Sequence, residues 1–170
     1  MKTEKITKIL LWLFVINLGI ALGAGLYERV IVVPQWLECS PDASRVWNAE
    51  AAKEANTGLR FWVYVTTVPL TFLTLASLLV AWRWTKGALR RWWLGAALAE
   101  LAARIMTFGY FIPTMITLMN GGLAQSEAVR MATQWAQLGS LRHVLGAIAL
   151  LAALKAFSLF YVEYKEFAAK

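Results

Sequence analysis

Three observations predict an all-α membrane protein built as a bundle of four transmembrane helices. The chain has 170 residues and is 59% hydrophobic and only 16% charged, whereas a soluble domain is about 25% charged. Four apolar stretches approach or exceed the roughly 20 residues an α-helix needs to cross hydrocarbon. The basic residues sit in short clusters beside those stretches, the pattern of membrane-flanking loops. A β-barrel is excluded because no ten-residue alternation is present, and open strands would leave backbone groups unpaired in lipid. The length suits one domain, residues 1–170.

The predicted spans are about 9–28, 61–83, 92–119 and 140–162. Span one is free of charge from Ile9 to Tyr27, and its Gly19 and Gly23 form a GxxxG pair that suits helix packing. "MKTEKITK" before it resembles the start of a signal peptide, with Ala21-Leu22-Gly23 as a passable cleavage site; we read it as an uncleaved anchor. "SPDASRVWNAEAAKEANTG" opens with Ser-Pro-Asp and is followed by Gly58 as a stop, which predicts a short surface helix between spans one and two. Span two contains Pro69, and span three contains Pro113; each removes a backbone donor and tends to kink its helix. Span three is interrupted by Glu100 and Arg104, and span four by Lys155. Helical spacing before span four reaches back to Ser126.

Charge orients the chain. Lys2, Lys5 and Lys8 precede span one, Arg83, Lys86, Arg90 and Arg91 join spans two and three, and Lys165 and Lys170 end the sequence. The excess of positive charge on those segments predicts both termini in the cytoplasm, in a bacterial inner membrane, with the two longer loops outside. The net charge of +7 is therefore a membrane signature, and nucleic acid is not an expected partner. Cys39 and His143 are the only residues of their kinds. They exclude an internal disulfide and a multi-histidine metal site within one chain; a carboxylate-rich site is the one metal option left open, and no metal ligand is assigned.

Helical spacing then sorts the polar residues. Asn17, Ala21, Ala24 and Glu28 share one face of span one. Tyr64, Thr67, Thr71, Thr74 and Ser77 line span two, and Glu100, Arg104, Thr107, Tyr110, Thr114 and Thr117 line span three. Polar groups at depth turn toward the bundle interior or a wet cavity, and hydroxyls also serve as helix–helix glue. Two layers result. Asn17, Glu100 and Lys155 lie at a depth of about 12 Å from the inner edge, with Arg104 one turn above Glu100; this is a structural layer in which Glu100 pairs with Lys155 or Arg104. The second layer lies near the outer face and holds Glu28, Tyr110, Asn120, Trp135, Arg142 and His143. "VIVVPQW" after Glu28 is expected to fold back over the bundle mouth, bent at Pro34 and closed by Trp36.

"GLYERVIVVPQW", "YFIPTMITLMN" and "WAQLGSLRHVLGAIAL" resemble the anthrone oxygenase-like family of small four-span membrane proteins. The resemblance covers about Leu10 to Phe160 and maps Glu28, Pro34, Trp36, Pro113, Asn120, Trp135 and Arg142 onto family positions. It implies oxidation of an anthrone methylene to a quinone by dioxygen, with no cofactor motif. The residues make that chemistry coherent. Glu28 or His143 is a candidate base. Arg142 and Asn120 are candidate partners of an enolate oxygen. Trp36, Tyr110 and Trp135 offer flat apolar walls.

Three functions stay open at this stage. One is an enzyme, with Glu28, Arg142 and His143 catalytic, acting on a flat lipophilic substrate at the outer leaflet. Another is a non-catalytic binding or accessory protein holding membrane lipid, an aromatic or quinone-like ligand, or a partner helix, with a homo-oligomer as one arrangement. The third is a proton or solute pathway, for which no inverted repeat is visible.

Overall fold

A computed structural model describes residues 2–39 and 45–168. Four helices are long and apolar enough to cross a membrane. They are α1 (Glu4–Trp36), α3 (Gly58–Trp84), α4 (Gly87–Asn120) and α5 (Gln125–Val162), the last continuing in helix to Ala168. Between α1 and α3 lie β1 (Leu37–Cys39), β2 (Arg45–Trp47) and the short helix α2 (Ala49–Ala55). Each spanning helix packs on the next in chain order, and α5 closes on α1, giving an up-down-up-down ring. The chain is thus an integral membrane protein. Its outward faces agree: Phe72, Leu79, Ile105 and Leu151 are more than half exposed, as lipid-facing side chains are.

At the end carrying Arg83 and Arg90, here the basic end, Leu11, Phe14, Leu70 and Trp93 pack against Ala149, Ala153 and Ala156. Small residues let backbones approach closely, and close packing drives helix association in lipid. The GxxxG pair does not contribute: a Cβ at Gly19 or Gly23 would meet nothing within 4 Å. The threonines of α3 are largely satisfied by their own helix. Thr71 donates to the Thr67 carbonyl and Thr74 to that of Leu70, both at 2.6 Å. Tyr64 points away from the bundle.

The opposite end, the mouth, departs from the expectation. α1 does not fold back at Pro34; it stays helical to Trp36, and the chain reverses in the β1–β2 hairpin, where Leu37 pairs with Trp47. Trp36 and Trp47 meet edge to face at 6.3 Å, over Leu118, Ala128 and Ala132. Trp47 Nε1 donates to the Leu118 carbonyl, and Gln125 Nε2 donates to the Trp47 carbonyl. The Ser-Pro-Asp start signal lies outside the described residues. α2 begins instead at Ala49, where the Asn48 side chain accepts from the Ala51 N–H. Its stop is Asn56, at φ 43°, because asparagine tolerates the left-handed region that ends helices. Gly58, read as the stop, opens α3.

Proline shapes all three mouth-end segments. Glu28–Val32, Gly58–Thr67 and Thr107–Phe111 are wound as π-helix, and each run ends two residues before Pro34, Pro69 or Pro113. A proline ring collides with the carbonyl four residues earlier, and the wider π turn moves that carbonyl aside. The residue before each proline closes the run with a five-residue bond: Val33 to Glu28, Val68 to Val63, Ile112 to Thr107. Pro69 offers no donor to the Val65 carbonyl, and Asn17 Nδ2 donates to it instead at 2.9 Å.

Candidate functional site

The π runs surround a cavity of about 310 Å³ lined by all four spanning helices. Its floor is Glu100, which is buried, and Arg104. The guanidinium Nε stands 2.7 Å from Glu100 Oε1, although its N–H does not point at that oxygen. The two sit four residues apart on α4, one helical turn, which is why their side chains meet. The expected separation into two layers is therefore wrong: this pair shares one cavity with Glu28, Arg142 and His143. Nor does Glu100 meet Lys155, which faces outward and is exposed. The angle of Lys155 around α5 carries it to the outer face of the bundle. Asn17 is spent on the Val65 carbonyl and is not on the cavity wall.

Glu28 sits in the first π run, buried, with its carboxylate at the cavity rim. Trp62 Nε1 donates to its Oε1 at 2.7 Å, and the Thr57 hydroxyl donates to the same oxygen at 2.9 Å. Neither donor uses Oε2. The carboxylate therefore clasps the turn after α2 to the first turns of α3. Hydrogen bonds to a charged acceptor are worth about 1.5–3 kcal/mol each, so this clasp holds the mouth cap in place.

Arg142 does not form the expected ion pair with Glu28. Its guanidinium lies 4.3 Å above the Phe111 ring, and the ion pairs among the described residues are Arg104 with Glu100 and Arg130 with Glu127. Stacking on an aromatic face holds the planar group while leaving its edge donors open. Phe111 in turn meets Trp135 at 5.7 Å, and Trp135 Nε1 donates to the Phe111 carbonyl. Phe111 belongs to the third π run, so the backbone distortion places both the ring and the cation.

His143 lines the cavity by its ring, not its nitrogens. Both nitrogens are buried with no partner among the described residues, and Nε2 is pressed against Gly25, where a Cβ would stand only 2.6 Å away. That geometry does not present His143 as a base. Tyr110, Asn120 and Trp36 are also off the cavity wall. Tyr110 packs its ring against Phe111 with its hydroxyl buried and unpaired. Asn120 is exposed at the last residue of α4, and Trp36 lies under the hairpin. Reasoning from sequence missed Thr57, Trp62 and Phe111. Trp62 is one of nine tryptophans, and nothing in its spacing set it apart from the others.

The resulting chamber is apolar-walled, with two acids, two arginines and aromatic rings. Ligand pockets in general are apolar-walled with a few convergent polar groups, and this chamber shares that composition. Comparison of the chain with protein-family models, curated proteins and solved structures gives no match.

Proposed function

We propose that the protein binds a flat lipophilic ligand carrying an oxygen acceptor, within a bacterial inner membrane, with the mouth toward the outside and both termini cytoplasmic. The observation that carries this reading is the Arg142 guanidinium. It is stacked on Phe111 at the cavity wall, with no carboxylate in ion-pair contact among the described residues. A partly buried arginine with open donors calls for an acceptor oxygen. Phe111, Trp62 and Trp135 supply flat walls for the ring system. The test is anthraquinone binding to the reconstituted protein, read by quenching of tryptophan fluorescence. Arg142→Lys keeps the charge and loses the planar fork. It weakens binding by about tenfold or more, the value of one charge-assisted bond, with the melting temperature as a folding control. Unchanged affinity would rule the reading out.

Glu28 favours a second, catalytic reading in line with the anthrone oxygenase-like resemblance. Its carboxylate is fixed at the cavity through one oxygen, which leaves the other to accept a proton. In that reaction Glu28 takes a methylene proton from an anthrone, and Arg142 donates to the enolate oxygen. Dioxygen adds at the carbanion carbon, and the resulting hydroperoxide loses water to give the quinone. Oxygen uptake with anthrone tests it. Glu28→Gln abolishes uptake while anthraquinone still binds; uptake that survives the substitution assigns the base elsewhere.

A further inference from the structure

The cavity is not evenly walled. Among its lining residues only Gly58, Leu59 and Ile116 are exposed, Leu59 at 58% and Ile116 at 49%. Gly58 and Leu59 begin α3 and Ile116 lies near the end of α4, the two helices that flank one seam. Near the basic end these helices pack closely, 68–84 against 87–106, but toward the mouth 58–67 hardly touches 107–120. The other three seams are cross-linked by hydrogen bonds. Asn17 ties α1 to α3, Arg29 donates to the Ala136 carbonyl between α1 and α5, and Trp135 ties α5 to α4. No hydrogen bond joins 58–67 to 107–120 among the described residues.

The gap is also roofed. α2 packs on Ile112–Asn120, and Asn56 and Thr57 line the cavity from above, with Thr57 fastened to Glu28. Among the described residues, α2 and the turn after it lie over the cavity at the mouth, and no hydrogen bond closes its α3–α4 side. Leu59 is one residue from the start of α3 and Ile116 four from the end of α4. This places the gap within about 6 Å of the helix ends. Leu59, Val63, Ile112 and Ile116 make its edges apolar, and the donors lie deeper.

We propose that the α3–α4 seam is a lateral portal. An amphiphile dissolved in the bilayer slides its oxygen-bearing head through the seam to Arg142 and leaves its apolar tail between Leu59 and Ile116, in contact with lipid. This rests on the binding reading above and adds the route and the shape of the ligand: a head that fits the chamber and a tail that does not.

The probe is an anthraquinone carrying an alkyl chain with a terminal diazirine. It is incorporated into vesicles of phosphatidylethanolamine and phosphatidylglycerol holding the full chain, then photolysed, and adducts are mapped by mass spectrometry. Adducts on Leu59, Val63, Ile112 and Ile116 are expected well above those on lipid-facing Phe72 and Leu151. Seam labelling should fall about tenfold with Arg142→Gln, as one charge-assisted bond dictates. Leu59→Trp with Ile116→Trp fills the gap at two exposed positions and is expected to suppress seam labelling while leaving the melting temperature intact. If untailed anthraquinone binds but adducts spread evenly over lipid-facing residues or sit on Asn56 and Thr57, the portal is refuted and the binding reading stands. If anthraquinone does not bind and no adduct depends on Arg142, both fall.

Discussion

Gly25 and His143 show how one residue's missing side chain fixes another's position. The imidazole lies where a Gly25 Cβ would have to go, with Cδ2 at 3.0 Å and Nε2 at 2.6 Å. Overpacking of this kind costs about 1–3 kcal/mol. Gly25→Ala should lower stability by that amount in detergent, and the loss should largely vanish in a His143→Ala background. Additive effects in the double variant would show that the close approach is not the cause. The charged residues separate as sharply. Glu100 is buried against Arg104, and breaking a buried pair strands the other charge at about 3–5 kcal/mol. Glu100→Gln should therefore lower the melting point clearly. Lys155→Met, on the exposed face of α5, should change stability by less than about 0.5 kcal/mol. A large effect at Lys155 would restore it to the interior.

Among the elements, the spans were legible because hydropathy over 20 residues is a strong signal. Their ends were not. Leu37–Cys39 and Arg45–Trp47 are strands of three residues, too short for alternation to register. Of the six-residue stripe on span three, Glu100, Arg104 and Thr107 share the cavity wall, as helical spacing requires, whereas Tyr110, Thr114 and Thr117, beyond the start of the π run, do not. Lys155 and Asn120 were misplaced because depth says nothing about the angle around a helix, and each π run shifts that angle between the two halves of a span. The prolines were visible, but their consequence was read as a kink rather than an added residue. Asn17 tests this account. Its bond to the Val65 carbonyl replaces the one Pro69 cannot make, so Asn17→Leu should cost about 1 kcal/mol, the usual scale of an interhelical bond in lipid. Thermal unfolding of Asn17→Leu in a Pro69→Ala background checks it: a loss as large as in the parent would deny the link between the two.

For the whole molecule, the even number of crossings places residues 4 and 162 on one side and the hairpin on the other. With the proposed orientation, Cys39, whose backbone ends β1, faces the outside. An impermeant maleimide should label it in intact spheroplasts, with a denatured sample as the reactivity control; labelling only after lysis would invert the topology. The cavity adds an electrical consequence. Its four formally charged wall residues, Glu28, Glu100, Arg104 and Arg142, sum to zero. Under the proposed binding, a neutral head would enter without moving net charge through the membrane field. An anionic head carries its charge part of the way, and the full crossing is worth about 2.3 kcal/mol per charge at 100 mV. Occupancy measured in vesicles under an imposed potential thus distinguishes a carbonyl ligand, indifferent to voltage, from an enolate or carboxylate, whose affinity follows the sign of the field.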